Sequence, residues 1–192
     1  MTTATITQQT VDELTRDWPK TPREAAQTVM RKYGPPDEAS PEMLVWLGNG
    51  PWKYTVLWRQ EVPHDFPTPH HDVLQQFIDY RVPPDAVAEL ARYDGSVVAE
   101  RTKGELSARC EGEEMNFLAI NLAHELATGK VDAAEARRRY TEIAAAFHEG
   151  RPSAYTQGLQ FDVPRGGTAD KDEITIPETI LHKLGEKLRL TD

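Results

Sequence analysis

The stretch from Met43 to Arg59 constrains the fold more than any other part of the chain. Met43 to Leu47 is an unbroken apolar run, Gly48-Asn49-Gly50 follows it, and Trp52 to Arg59 leads away. Glycine enters the left-handed backbone region without a Cβ clash, and a Gly/Asn pair between two strand-like runs marks a tight hairpin. In the second run Trp52, Tyr54, Val56 and Trp58 alternate with Lys53, Thr55, Leu57 and Arg59, the period of two that a strand requires. The chain must therefore contain antiparallel sheet. A second hairpin is expected at Ser96–Cys110, turning near Lys103-Gly104. The aromatic residues Trp52, Tyr54 and Trp58, with Trp46 opposite them in the hairpin, are expected to pack against helices rather than form an open stacking platform.

Helical signals surround the two hairpins. Thr21-Pro22-Arg23-Glu24 reads as a capped helix start, and Gly34-Pro35-Pro36 ends that helix. Between the hairpins the sequence predicts a helix from Thr68-Pro69, with Val73, Leu74, Phe77 and Ile78 on one stripe. A short helix from Pro84 to about Arg92 should follow it. Residues 113–128 are apolar around most of a helical circumference, the mark of a core helix. Gly129 ends that segment, and Asp132 with Glu135 opens an alanine-rich helix running to about His148, giving a helical hairpin. Two hairpins covered by helices, with a helical hairpin and a C-terminal extension, place the chain in the α+β class.

Composition divides the chain into three. Residues 1–20 read as a flexible N-terminal arm with one helical turn around Val11 to Trp18, and residues 21–150 as a single α+β domain. Residues 151–192 read as a linker rich in Gly, Pro, Ser and Thr, followed by an amphipathic helix carrying Ile180, Leu181, Leu184 and Leu188. That helix is expected to dock on the core or on a neighbouring subunit.

Charge and cysteine usage exclude some functions. With 22 Lys+Arg against 31 Asp+Glu the formal charge is −9, a field that repels phosphate backbones and argues against nucleic-acid binding. Arg137, Arg138 and Arg139 are consecutive, so on a helix they fan around the axis and form no basic face. No run of about 18 apolar residues is present, so no membrane helix is expected. The first twenty residues lack a basic start followed by an apolar stretch, and the single cysteine, Cys110, excludes an internal disulfide framework. These features point to a reducing cytoplasm.

Three groups of residues could carry chemistry. His64, Asp65, His70, His71 and Asp72 fall within nine positions, and neutral imidazole and carboxylate are the ligand types of zinc, iron and manganese. The expected ligands of a divalent metal are His64, His70 and Asp72, with Asp65 and His124 as further candidates. The competing expectation is a packing role, with His70 beside Val73 and Leu74 and His71 in solvent. Second, Asn121, His124 and Glu125 form a polar stripe on the apolar 113–128 helix, either a polar pocket or that helix's exposed edge. Third, Cys110 precedes a helix start but lies beside Glu111, Glu113 and Glu114, which oppose a thiolate; a buried packing role is expected. No phosphate-cradling glycine loop, GxSxG or HExxH occurs.

The strings NGPWKYTVLWRQEVPH (49–64), DYRVP (79–83), YDGSVVAERTKGELSARC (93–110) and NFLAINLAHELATGK (116–130) resemble a family of bacterial conserved proteins of uncharacterised function. The resemblance covers the middle two thirds of the chain and implies no activity, cofactor or catalytic residue.

The sequence supports two functional expectations. One is a small cytoplasmic binding or protein-interaction module, homo-oligomeric or docked on a protein partner. The other is a metal-dependent or acid–base enzyme using the His64/His70/His71 cluster.

Overall fold

A computed structural model describes residues 6–180 and 182–183. The fold is α+β, with one six-stranded antiparallel sheet that does not close. Its strands are β1 (Glu38–Ala39), β2 (Met43–Leu47), β3 (Tyr54–His64), β4 (His70–Asp79), β5 (Val97–Glu100) and β6 (Glu105–Cys110), in the order β1-β2-β3-β4-β6-β5. The helices are α1 (Gln8–Leu14), α2 (Lys20–Tyr33), α3 (Val87–Tyr93), α4 (Glu113–Ala127), α5 (Ala133–His148) and the single turn α6 (Ala154–Gln157).

Both expected hairpins form. Gly48 and Gly50 take φ of 61° and 63°, which gives the turn between β2 and β3 its left-handed backbone. The register shows which face is covered. Leu44, Leu57, Leu74 and Cys110 are successive cross-strand partners, and the next row runs Trp46, Thr55, Gln76, Ala108 and Val97. All nine are buried. Directly paired residues point to the same side of a sheet, so this is the side on which the helices lie. Helix α2 packs over β3 and β4, and α4 over β6, β4 and β5. The apolar circumference of α4 is explained by its position, since α5, α3 and α6 pack on its other sides. Asp132 caps α5 as expected, accepting from the Glu135 amide at 2.8 Å.

Four expectations need correction. First, residues 70–79 are strand β4, not a helix. The doublets Val73-Leu74 and Phe77-Ile78 imitate a helical stripe, but they arise because both faces of this central strand are at least partly buried, which hides its period of two. Second, α2 begins at Lys20 after Pro19, and no side chain caps it, so Thr21 and Glu24 form no capping box. Third, Trp52 precedes β3 and does not share a face with Tyr54 and Trp58. It is buried and stacks on Phe117 of α4 at 4.9 Å, whereas Tyr54 stacks on Phe77 at 4.1 Å on the sheet's other face. Trp46 lies on the helix-covered face, its indole donating to Gly34 O at 2.9 Å. Fourth, the segment read as an arm contains α1 and buries Val11 and Trp18 beside α2.

Residues 150–172 wrap the surface of the domain. Thr168 is buried, and its hydroxyl donates to Gly104 O at 2.7 Å in the β5–β6 turn. Beyond them Ile174, Ile176 and Ile180 are exposed. Leu181, Leu184 and Leu188 of the expected tail helix lie outside the described residues. No described helix is long and apolar enough to cross a membrane.

Candidate metal centre

The β3–β4 hairpin brings the expected histidines together. Its last register pairs are Val62 with Asp72, Pro63 with His71, and His64 with His70, closed by the five-residue loop 65–69. Cross-strand partners share a face, so His64 and His70 stand side by side, their ring centroids 4.9 Å apart. Asp72, two residues along β4, points to the same side. His71 points to the opposite one, half exposed, with its Nδ1 3.9 Å from Glu61 Oε1. The strand period therefore selects His64, His70 and Asp72 and leaves His71 out.

One ligand atom from each of these three residues lies within 4.8 Å of the others. Asp72 is buried at the centre: its Oδ2 is 3.3 Å from His64 Nδ1 and its Oδ1 is 3.1 Å from His70 Nε2. Each imidazole turns its other nitrogen toward an oxygen outside the trio. His70 Nδ1 lies 2.8 Å from Thr68 O, and His64 Nε2 lies 3.7 Å from Asp94 Oδ1. With a proton on each outer nitrogen alone, the inner nitrogens would offer lone pairs to an ion, the arrangement by which outer-sphere acceptors orient metal-binding histidines. His64 Nδ1 is buried and makes no hydrogen bond.

The surroundings are polar on one side and aromatic on the other. Asp94 ends α3 and accepts from the Ser96 amide at 2.8 Å and the Ser96 hydroxyl at 2.7 Å; burial pushes its pKa up against those two bonds. Cys110, at the end of β6, places Sγ 3.4 Å from His70 Nε2. Burial pushes the Cys110 thiol up, and the neighbouring His70 offsets part of that. At His70 burial disfavours the imidazolium, but the contacts with Asp72 and Cys110 outweigh it and push the pKa up to about 11. The ring of Phe66 closes the far side, 5.1 Å from Tyr140 and beneath the Arg137 guanidinium at 3.7 Å.

Two donors held ~2.1 Å from one ion in a tetrahedral shell stand ~3.4 Å apart, so donors at the 4.8 Å limit must draw together by up to about 1.4 Å to bind one. A cavity of about 270 Å³ opens beside the cluster and is lined by His70, Cys110, Glu111, Tyr140 and His148 among others.

The remaining candidates lie elsewhere. Asp65 is not one of the cluster's donors, and His124 sits on α4 with its Nδ1 2.9 Å from the Tyr80 hydroxyl. The stripe Asn121, His124 and Glu125 is neither a solvated edge nor an open pocket, because residues 155–161 cover it. Asn121 donates to Tyr155 O and Gly158 O and accepts from the Gln160 amide. His124 stacks on Phe161 at 4.1 Å, and Glu125 binds Arg139 and the Tyr155 hydroxyl. Sequence reasoning missed Asp94 as a neighbour of His64 and Cys110 as a neighbour of His70. Asp94-Gly95 reads only as a helix end, and the contact with Cys110 depends on β4 pairing with β6. No family model matches the chain, and no curated protein or solved structure is significantly similar to it.

Proposed function

We propose that this protein binds one divalent transition-metal ion through His64, His70 and Asp72, at the neck of the β3–β4 hairpin. The observation that carries the reading is the orientation of the two imidazoles. Each turns one nitrogen inward to the buried Asp72 carboxylate and the other toward an outer oxygen, Thr68 O at 2.8 Å for His70 and Asp94 Oδ1 at 3.7 Å for His64. Two imidazoles and one carboxylate suit zinc, iron(II), cobalt(II) and manganese(II), whereas calcium and magnesium prefer oxygen-rich shells. Bound there, an ion would tie β3 to β4. A cytoplasmic location belongs to the same proposal, supported by the lone free thiol of Cys110, which is compatible with a reducing compartment.

The test is metal analysis of protein purified without a histidine tag. About one ion per chain is expected, with His64→Ala and His70→Ala nearly metal-free. Wild-type protein that holds no metal and takes up none of these four ions on dialysis overturns the reading.

A second reading, docking on a protein partner or on another copy, rests on the exposed side chains of Ile174, Ile176 and Ile180. Truncation after Asp172 should then lower the oligomeric state or the melting temperature. Unchanged scattering and melting curves would sink it.

A further inference from the structure

We infer that the His64–His70–Asp72 centre is an open one, with a coordination position that faces the neighbouring cavity and takes the oxygen of a small acyl compound. The inference rests on the three-ligand reading and extends it to a ligand. Among the described residues the donor atoms that converge come from these three side chains alone, and no cysteine sulfur or further carboxylate joins them. Ions of the zinc class take four or more donors. Three protein ligands plus one exchangeable position is the arrangement of catalytic zinc sites, whereas structural ones are closed by four.

The cavity of about 270 Å³ gives that position somewhere to open. His70 stands in its wall, and so does Cys110, whose Sγ lies 3.4 Å from His70 Nε2. The donor nitrogen is therefore one van der Waals contact from the cavity. Neither His64 nor Asp72 lines it, so access to the centre runs past His70. The volume falls just under the ~300–1,000 Å³ of drug-sized ligand pockets, which calls for a small ligand. Pro67, Pro69, Met115 and Ala144 give the wall apolar surface for the body of such a molecule. Tyr140 adds a phenol, a hydrogen-bond donor at neutral pH, for a second oxygen. An acyl compound meets both needs, with an oxygen donor for a zinc-class ion and an apolar remainder. Its binding displaces a bound water and breaks no bond in the ligand.

The experiment uses the full-length protein loaded with cobalt(II), whose visible absorption changes when a ligand joins or leaves its shell. Azide tests for an open position, and acetohydroxamate for the acyl oxygen. Both are expected to shift the cobalt bands saturably, with one molecule bound per ion. Ala144→Phe, which puts a ring into the cavity and leaves the three donors in place, should keep the cobalt and weaken acetohydroxamate at least about tenfold. Should that variant fold poorly, His148→Trp, at an exposed position of the same wall, gives the same answer. Cobalt bound with bands that neither probe moves overturns the inference and leaves the three-ligand reading standing. A response to azide alone, or undiminished acetohydroxamate affinity in the filled variants, overturns the assignment of an acyl ligand to this cavity. Failure to bind cobalt at all overturns both readings.

Discussion

The indole of Trp52 donates to Glu113 Oε1 at 2.6 Å, joining the end of the first hairpin to the first residue of α4. The same carboxylate accepts from the Tyr33 hydroxyl at 2.6 Å, from Gln76 Nε2 at 3.3 Å and from Lys32. Glu113 is buried, and it ties α2, β4 and the hairpin to α4. Replacing it with alanine leaves the Trp52, Tyr33 and Gln76 donors without an acceptor in the core. Glu113→Ala should cost about 3 kcal/mol by urea denaturation. Trp52→Phe, which keeps the stack on Phe117 and loses one donor, should cost about 1 kcal/mol. Equal losses from the two variants would show that the carboxylate is not the hub.

Gly104 makes a second testable contact. It sits at φ 68° in the β5–β6 turn, and a Cβ there would stand 2.3 Å from the carbonyl carbon of Thr168. Alanine must both adopt a left-handed backbone, at about 1–2 kcal/mol, and push away the strap of residues 150–172 that Thr168 and Ala169 hold against the turn. In Gly104→Ala the strap should detach, so limited proteolysis should cut near residues 165–172 before anywhere else. A cleavage pattern identical to wild type would refute that contact.

Metal binding should be visible as stability. An ion at 100 times its Kd adds about 2.7 kcal/mol to the folded state. For a chain of this length that corresponds to roughly 5–10 °C in Tm. Zinc should raise the Tm of wild-type protein by that amount and leave His64→Ala and Asp72→Asn unmoved. An equal rise in those variants would place the ion elsewhere.

The parts of the fold legible in the sequence were those whose signal is local. The Gly48-Asn49-Gly50 turn, the cap at Asp132 and the apolar circumference of α4 depend on neighbours along the chain, and each reads correctly. Strand β4 failed because burial on both faces is a tertiary property that overrides the period of two. The candidate site shows the same division. His64, His70 and Asp72 were legible as ligand types at close spacing. The reason that they converge is the cross-strand pairing of His64 with His70, which requires β4 to be a strand. The roles of Asn121, His124 and Glu125 were hidden because their partners lie about 30–40 residues away, in a segment whose composition reads as linker.

That covered stripe should respond to acid. Burial, with Lys130 nearby, holds the His124 pKa below the ordinary histidine range. Burial pushes Glu125 up, but hydrogen bonds from Tyr155 and Arg139 outweigh it and hold its carboxyl below the ordinary range. Both depressions have the same consequence. In the window below the ordinary pKa of each group the detached or unfolded state binds more protons than the native one, so stability falls as pH falls. The contribution of His124 is fully present above about pH 6.5, and that of Glu125 above about pH 4.5. Each is lost as pH drops through the group's own lowered value. Acidification should therefore loosen residues 154–161 before the sheet, because Tyr155 and Phe161 bind these two groups directly. Hydrogen exchange measured at a series of pH values and corrected for intrinsic rates should show protection at the Gln160 amide falling as the pH drops below the ordinary histidine value of about 6.5, while β3 and β6 stay protected. Phe161→Ala should show the same loss at neutral pH. Loss of protection in all three segments at one pH would mean that the wrap and the sheet unfold as a single unit, and that His124 and Glu125 do not control it.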